Sequence, residues 1–209
     1  DIATSNVLWS TKLADASTAK DILKLASKAS GMEQFKIDLF EPSITKSKDI
    51  IYNNSGKLSL INSKTGAIMW ENDCNPGTFF LSPDQTKIIV VDRPSGMAAL
   101  GVPKPFGKKV MAIDAATGKD LWKEPIKLSE TYKTYKFLNN NEVLIAYTDG
   151  LNLYNLETGV NLWKKDFEAG NLKSMEAGSE GLEVQYGNKL MVIDSKTGKK
   201  LWKKPVEFE

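Results

Sequence analysis

One nine-residue pattern governs what this chain can fold into. Asp/Asn-x-x-Thr-Gly-x-x-x-Trp occurs without gaps at 62–70, 114–122, 155–163 and 194–202. A fifth copy, Asp1 to Trp9, opens the sequence with Ser5 where the others carry Gly66, Gly118, Gly159 and Gly198. All five tryptophans (Trp9, Trp70, Trp122, Trp163 and Trp202) fall in the last slot, at spacings of 61, 52, 41 and 39 residues. The two shortest spacings match the four-stranded blade of a β-propeller, about 40–45 residues, and the longer two read as blades with insertions.

Each slot has a physical reason. An alternating strand precedes the Asp/Asn, as in Lys109-Val-Met-Ala-Ile113 and Lys189-Leu-Met-Val-Ile193. The Asp or Asn side chain can take backbone N–H groups two residues on and start a turn, Thr adds a second local bond, and Gly supplies the positive φ of a bulged hairpin. Ser5 departs from this, because a non-glycine residue costs about 1 kcal/mol there, so the first turn is expected to differ in shape. A Trp at a fixed offset suits a wide ring packed between neighbouring sheets, its N–H reaching a backbone acceptor. Packing that recurs in every blade explains a residue that recurs in every blade better than a binding row does.

The series resembles the tryptophan-containing repeat of the quinoprotein-dehydrogenase-like, or PQQ-like, β-propellers. The resemblance spans nearly the whole chain and implies an all-β fold of four-stranded antiparallel blades. It implies little about activity, since the repeat serves quinone-cofactor dehydrogenases, an outer-membrane assembly lipoprotein, and sensor and adhesion domains alike. One phrase, Leu81-Ser-Pro-Asp84-Gln-Thr-Lys87-Ile-Ile-Val90, looks instead like the strand-turn-strand of WD-type propellers.

Strand placement follows. Four complete blades are expected over about 33–71, 77–123, 131–164 and 171–203, each closed by a strand that carries its Trp, with a surplus closing strand at 5–9. That surplus strand, and a start at Asp1 rather than Met, lead to the expectation of a processed or excised part of a larger propeller. A strand-exchanged homodimer is the other way to finish the ring. Ile22, Leu25, Ala26 and Ala29 at helical spacing, a Thr18-x-x-Asp21 capping box and Gly31 as a stop predict a short helix over about 18–30. A 15-residue Pro/Gly-punctuated stretch, Arg93 to Gly107, interrupts the second blade. Long loops on rigid scaffolds often carry function, so Arg93, Met97, Leu100, Val102 and Phe106 are the first candidates for a binding surface.

Composition narrows the chemistry. Histidine is absent, which removes the commonest general base and metal ligand and the Ser-His and Cys-His pairs. A lone cysteine, Cys74, excludes an internal disulfide and the adjacent Cys pair that the resemblance associates with quinone-using members. The single Arg among 28 basic residues, with the lysines scattered or in pairs and a net charge of +2, argues against a nucleic-acid partner. No stretch of about 18 apolar residues offers a membrane span. No cofactor and no catalytic residue are assigned. A protein partner or a small ligand on a propeller face is expected, and PQQ-like propellers are commonly exported. Quinone-dependent oxidation, and a carboxylate-based hydrolase or lyase using acids such as Asp92, Glu176 and Glu183, are the alternatives.

Overall fold

The structure is a computed structural model that describes residues 43–54, 56–93 and 107–208. The surplus closing strand at 5–9, the helix over 18–30, the start of the first blade, Trp9, Met97, Leu100, Val102 and Phe106 lie outside the described residues. Within them the chain is all-β: sixteen strands form four separate four-stranded sheets, with every pair antiparallel.

The sheets follow one another along the chain. The first is β1 (Ser43–Ile44), β2 (Ile50–Asn54), β3 (Lys57–Ile61) and β4 (Ile68–Asn72). The second is β5 (Pro76–Leu81), β6 (Lys87–Asp92), β7 (Lys109–Asp114) and β8 (Ile126–Lys127). The third comprises β9 (Tyr132–Asn139), β10 (Glu142–Tyr147), β11 (Gly150–Asn155) and β12 (Phe167–Glu168). The fourth comprises β13 (Leu172–Ala177), β14 (Leu182–Tyr186), β15 (Lys189–Ile193) and β16 (Val206–Glu207). Each is a meander in sequence order, which is how a propeller blade is built.

Burial shows how the sheets stack. In β6, Ile88 and Val90 join Ile51, Leu58, Leu60 and Trp70 of the first sheet, while Ile89 and Val91 join Val143, Ile145 and Tyr147 of the third. In β10 the alternate residues Leu144 and Ala146 join Met175, Leu182, Val184 and Met191 of the fourth. The middle sheets are therefore covered on both faces, and β6 and β10 read as near-continuous apolar runs rather than alternating ones. Full burial of each such side chain contributes about 1.5–3 kcal/mol, so stability resides between blades.

The Trp segments differ from expectation. Trp70 lies in β4, opposite Leu60. Trp122, Trp163 and Trp202 lie instead in bends, and the closing strands β8, β12 and β16 begin only four residues after each Trp. After the turn, pairing with the third strand is a single bridge, Asp120 to Ile113, Asn161 to Tyr154 or Lys200 to Ile193. The ladder then lapses. Pro125 and Pro205 have no N–H to give it. In the third sheet a buried side chain replaces the missing bond: Trp163 N donates to Asn152 Oδ1 at 3.3 Å. Asn152 Nδ2 donates to Asp166 Oδ1 at 2.6 Å.

Candidate functional site

The turns that link the third and fourth strands are built alike. Asn62 Oδ1 accepts from Lys64 N and Thr65 N, both at 3.0 Å, and from Thr65 Oγ1 at 3.1 Å. Asp114 Oδ1 does the same with Ala116 N, Thr117 N and Thr117 Oγ1 at 3.1, 2.7 and 2.8 Å. Asn155 and Asp194 repeat it. The glycine that follows has φ between 69° and 72° in all four, a conformation L side chains rarely adopt.

Each turn receives the tryptophan of the sheet before it. Trp70 Nε1 donates to the Ala115 carbonyl at 3.1 Å, Trp122 Nε1 to Leu156 at 2.9 Å and Trp163 Nε1 to Ser195 at 3.0 Å. In each case the acceptor is the residue directly after the Asp or Asn. The indole lies flat against the glycine: a Cβ on Gly118, Gly159 or Gly198 would stand 2.5, 2.8 or 2.6 Å from Cδ2 of Trp70, Trp122 or Trp163. Gly66 heads the first described turn, and Trp202 belongs to the last sheet. Sequence periodicity also missed one tie between sheets: Lys87 Nζ, 9% exposed, meets Glu157 Oε1 at 2.7 Å and so joins β6 to the turn of the third sheet.

Two of the four turns titrate. The hydrogen bond from Thr117 holds the Asp114 carboxyl below its usual range, and that from Thr197 does the same for Asp194. A lowered folded-state pKa means that the stabilisation is complete above the unfolded carboxylate value, near 3.9, and is lost as pH falls through the folded value. The urea midpoint should therefore fall as the pH drops below about 4. In the double variant D114N/D194N, which matches the turns at Asn62 and Asn155, that part of the fall should disappear with the midpoint at pH 7 little changed. Unaltered acid sensitivity in the double variant would show that the turns do not contribute it.

The 93–107 insertion is clasped at its feet. Gly107 N donates to the Asp92 carbonyl at 2.8 Å and Arg93 N to the Asn75 carbonyl at 2.9 Å. Asn75 Nδ2 donates to the Arg93 carbonyl at 2.8 Å, and Asp92 Oδ1 accepts from Lys109 N at 2.9 Å. A Cβ on Gly107 would sit 1.7 Å from Asp92 Oδ1, and one on Gly77 2.7 Å from the Asp92 carbonyl oxygen. Arg93 is thus placed at the end of β6, bonded to Asn75 just before β5. The clasp uses residues that the repeat does not mark.

Of the three candidate acids, Asp92 belongs to this clasp. Glu176 and Glu183 are direct cross-strand partners in β13 and β14, and Glu176 is ion-paired with Lys136 of β9. Among the described residues no group of three or more His, Cys, Asp or Glu could hold a metal ion, and no helix is long and apolar enough to cross a membrane. Cys74 is buried between the first two sheets, and burial pushes its thiol up to about 11. Its thiolate fraction at pH 8 should be roughly 100-fold below that of an exposed thiol. Iodoacetamide labelling should accordingly be slow in the native chain and fast in urea; equal rates would mean that this part of the sheet opens freely.

Antiparallel four-stranded blades, stacked face to face in chain order, make this chain a β-propeller. Residues 106–207 match the family described as outer membrane protein assembly factor BamB. Among solved structures, BamB from Moraxella catarrhalis is similar over 80% of this chain and 49% of its own, at 14% identity and a TM-score of 0.51. The C-terminal WD40 domain of Sif2 (85% and 49%, 11% identity, TM-score 0.53) and Kluyveromyces lactis Hsv2p (81% and 54%, 11% identity, TM-score 0.52) are alike in fold. The chain thus spans about half the length of the structures it matches. No curated protein matches the sequence.

Proposed function

We propose that the chain is a non-enzymatic protein-binding β-propeller module that acts outside the cytoplasm, in the periplasm or at the cell surface. The observation that carries this reading is where the repeated residues are used. Asp/Asn, Thr, Gly and Trp are spent on turns and on contacts between sheets, which leaves recognition to segments outside the repeat. The 93–107 insertion is one of these, and its feet are tied to a rigid strand end. A loop held in this way can present Arg93, Met97, Leu100, Val102 and Phe106 to a protein partner at small cost to the blades. The family that residues 106–207 match is named for an assembly factor of the outer membrane, which supports both the binding role and the compartment.

The test replaces residues 94–106 with a Gly/Ser linker of equal length and compares partner capture from an envelope fraction by the two chains. The reading expects capture to fall at least about tenfold with an unchanged unfolding midpoint. Equal capture by both chains removes the loop from the interface. Dye-linked alcohol oxidation after addition of pyrroloquinoline quinone and calcium would overturn the non-enzymatic reading. The adjacent Glu176 and Glu183 are the residues to substitute first should a hydrolase or lyase assay be positive.

A further inference from the structure

The three seams between successive sheets use the same slots of the repeat but fill them with different charges. The slots are the two residues after each Trp and the two after the glycine of the turn that receives it. At the first seam they hold Glu71, Asn72, Lys119 and Asp120. Glu71 Oε1 accepts from Ser59 Oγ at 3.2 Å, and Asn72 Nδ2 donates to the Gly118 carbonyl and to Asp120 Oδ1 at 2.8 and 2.9 Å. At the second they hold Lys123, Glu124, Val160 and Asn161, whose charges cancel. At the third all four are lysine: Lys164, Lys165, Lys199 and Lys200. These lysines line one groove of about 500 Å³, between the bend after Trp163 and the turn after Asp194, with Asp166 and Glu168 as its acids. They are also unspent. Lys57, Lys87, Lys108, Lys136 and Lys189 each meet a carboxylate, whereas among the described residues the four groove lysines have no ion pair and no side-chain hydrogen bond. Asp166 Oδ1 is already taken by Asn152 Nδ2, at 2.6 Å. Two seams close without this cluster, so packing does not call for it, and four like charges in one groove repel one another.

We propose that this groove is a docking site for an acidic segment of a partner protein, one with carboxylates spaced along an extended chain. All four lysines are exposed, so a single small anion would keep its water and gain little from any one of them. A chain that meets several at once gains from each, because the later contacts form within one complex. Lysine also brings compact, movable point charges, which suit carboxylates at uneven spacing, rather than the planar fork with which arginine grips phosphate. The charge is local: the whole chain carries only +2, and a groove between two sheets is not the broad basic face that holds a flat anionic bilayer. The site uses none of the residues of the 93–107 insertion, so either assignment can fail alone.

The probe is a fluorescein-labelled hexaglutamate peptide, titrated with the whole chain at about 0.01 M salt, where exposed charges are little screened. Its anisotropy should rise to saturation. The variant K164Q/K165Q/K199Q/K200Q should weaken binding at least about tenfold, the summed effect of four exposed pairs. The variant K64Q/K119Q/K123Q/K133Q removes the same charge from exposed, unpaired lysines elsewhere and should weaken it less than about threefold. Carbodiimide cross-linking of the peptide to the unaltered chain reads the site without any variant, and its amide bonds should fall on the four groove lysines. Four results would overturn the proposal. They are no saturable binding, equal weakening by both variants, cross-links spread over the other lysines, and tighter binding of phosphatidylglycerol vesicles than of the peptide through the same four residues.

Discussion

Trp163→Ala should destabilise the chain by about 3–5 kcal/mol, the usual cost of removing a large buried aromatic. Trp163 is 1% exposed and joins Leu144, Leu151, Leu153, Met191 and Ile193 in the core between the third and fourth sheets. Truncation removes that contact area and leaves the Ser195 carbonyl without the indole donor it has at 3.0 Å. It also strips the cover from Gly198. Equilibrium urea unfolding at pH 7 reads the loss. Trp163→Phe separates the contributions: it should recover most of the area but not the hydrogen bond, and so cost roughly 1–2 kcal/mol. A cost below about 1 kcal/mol for the alanine variant would mean that the stack does not depend on this ring.

Gly118→Val should be of similar size, acting from the other side of an equivalent contact. Two penalties add. The residue stands at φ 71°, where a β-branched side chain is strained by about 1–3 kcal/mol. A Cβ there would also lie 2.5 Å from Trp70 Cδ2 and 2.7 Å from Trp70 Cγ and Cε3, so the indole must leave its seat. We expect a loss of at least about 3 kcal/mol, much of it shared with Trp70→Ala. The double variant G118V/W70A should therefore cost clearly less than the two single changes together, because both break one contact. Simple additivity would show that the glycine serves its turn alone.

These effects also show what the sequence could and could not disclose. The turn was legible almost atom by atom, because Asp/Asn, Thr and Gly act on neighbours two or three residues away and local chemistry sets their geometry. The role of the Trp was legible in kind, a ring between sheets with a bonded N–H, but its acceptor was not. That carbonyl lies 32 to 45 residues further on, and only the stacking of the sheets brings it there. Trp122, Trp163 and Trp202 lie in bends rather than on the regular strands expected for them, and in the second and fourth sheets Pro125 and Pro205 have no N–H to give the ladder. The Lys87 to Glu157 pair and the Asp92 clasp left no periodic trace, since each occurs once. The recognition proposed for the insertion is less legible still, because a unique loop has no internal copy against which to read it.

The tryptophan contacts all run the same way along the chain. Trp70, Trp122 and Trp163 are each given forward and every described turn after the first takes one from behind, so the blades join head to tail like the units of a polar polymer. Such an array can grow by duplicating one blade with no new joint to invent, since each unit brings both halves of the joint. Its cohesion should follow the number of joints rather than the number of blades, as in other repeat proteins with nearest-neighbour energetics. An open run always has one joint fewer than it has blades, and closing the circle adds the last. Partial unfolding should accordingly start at a free end and move inward one blade at a time.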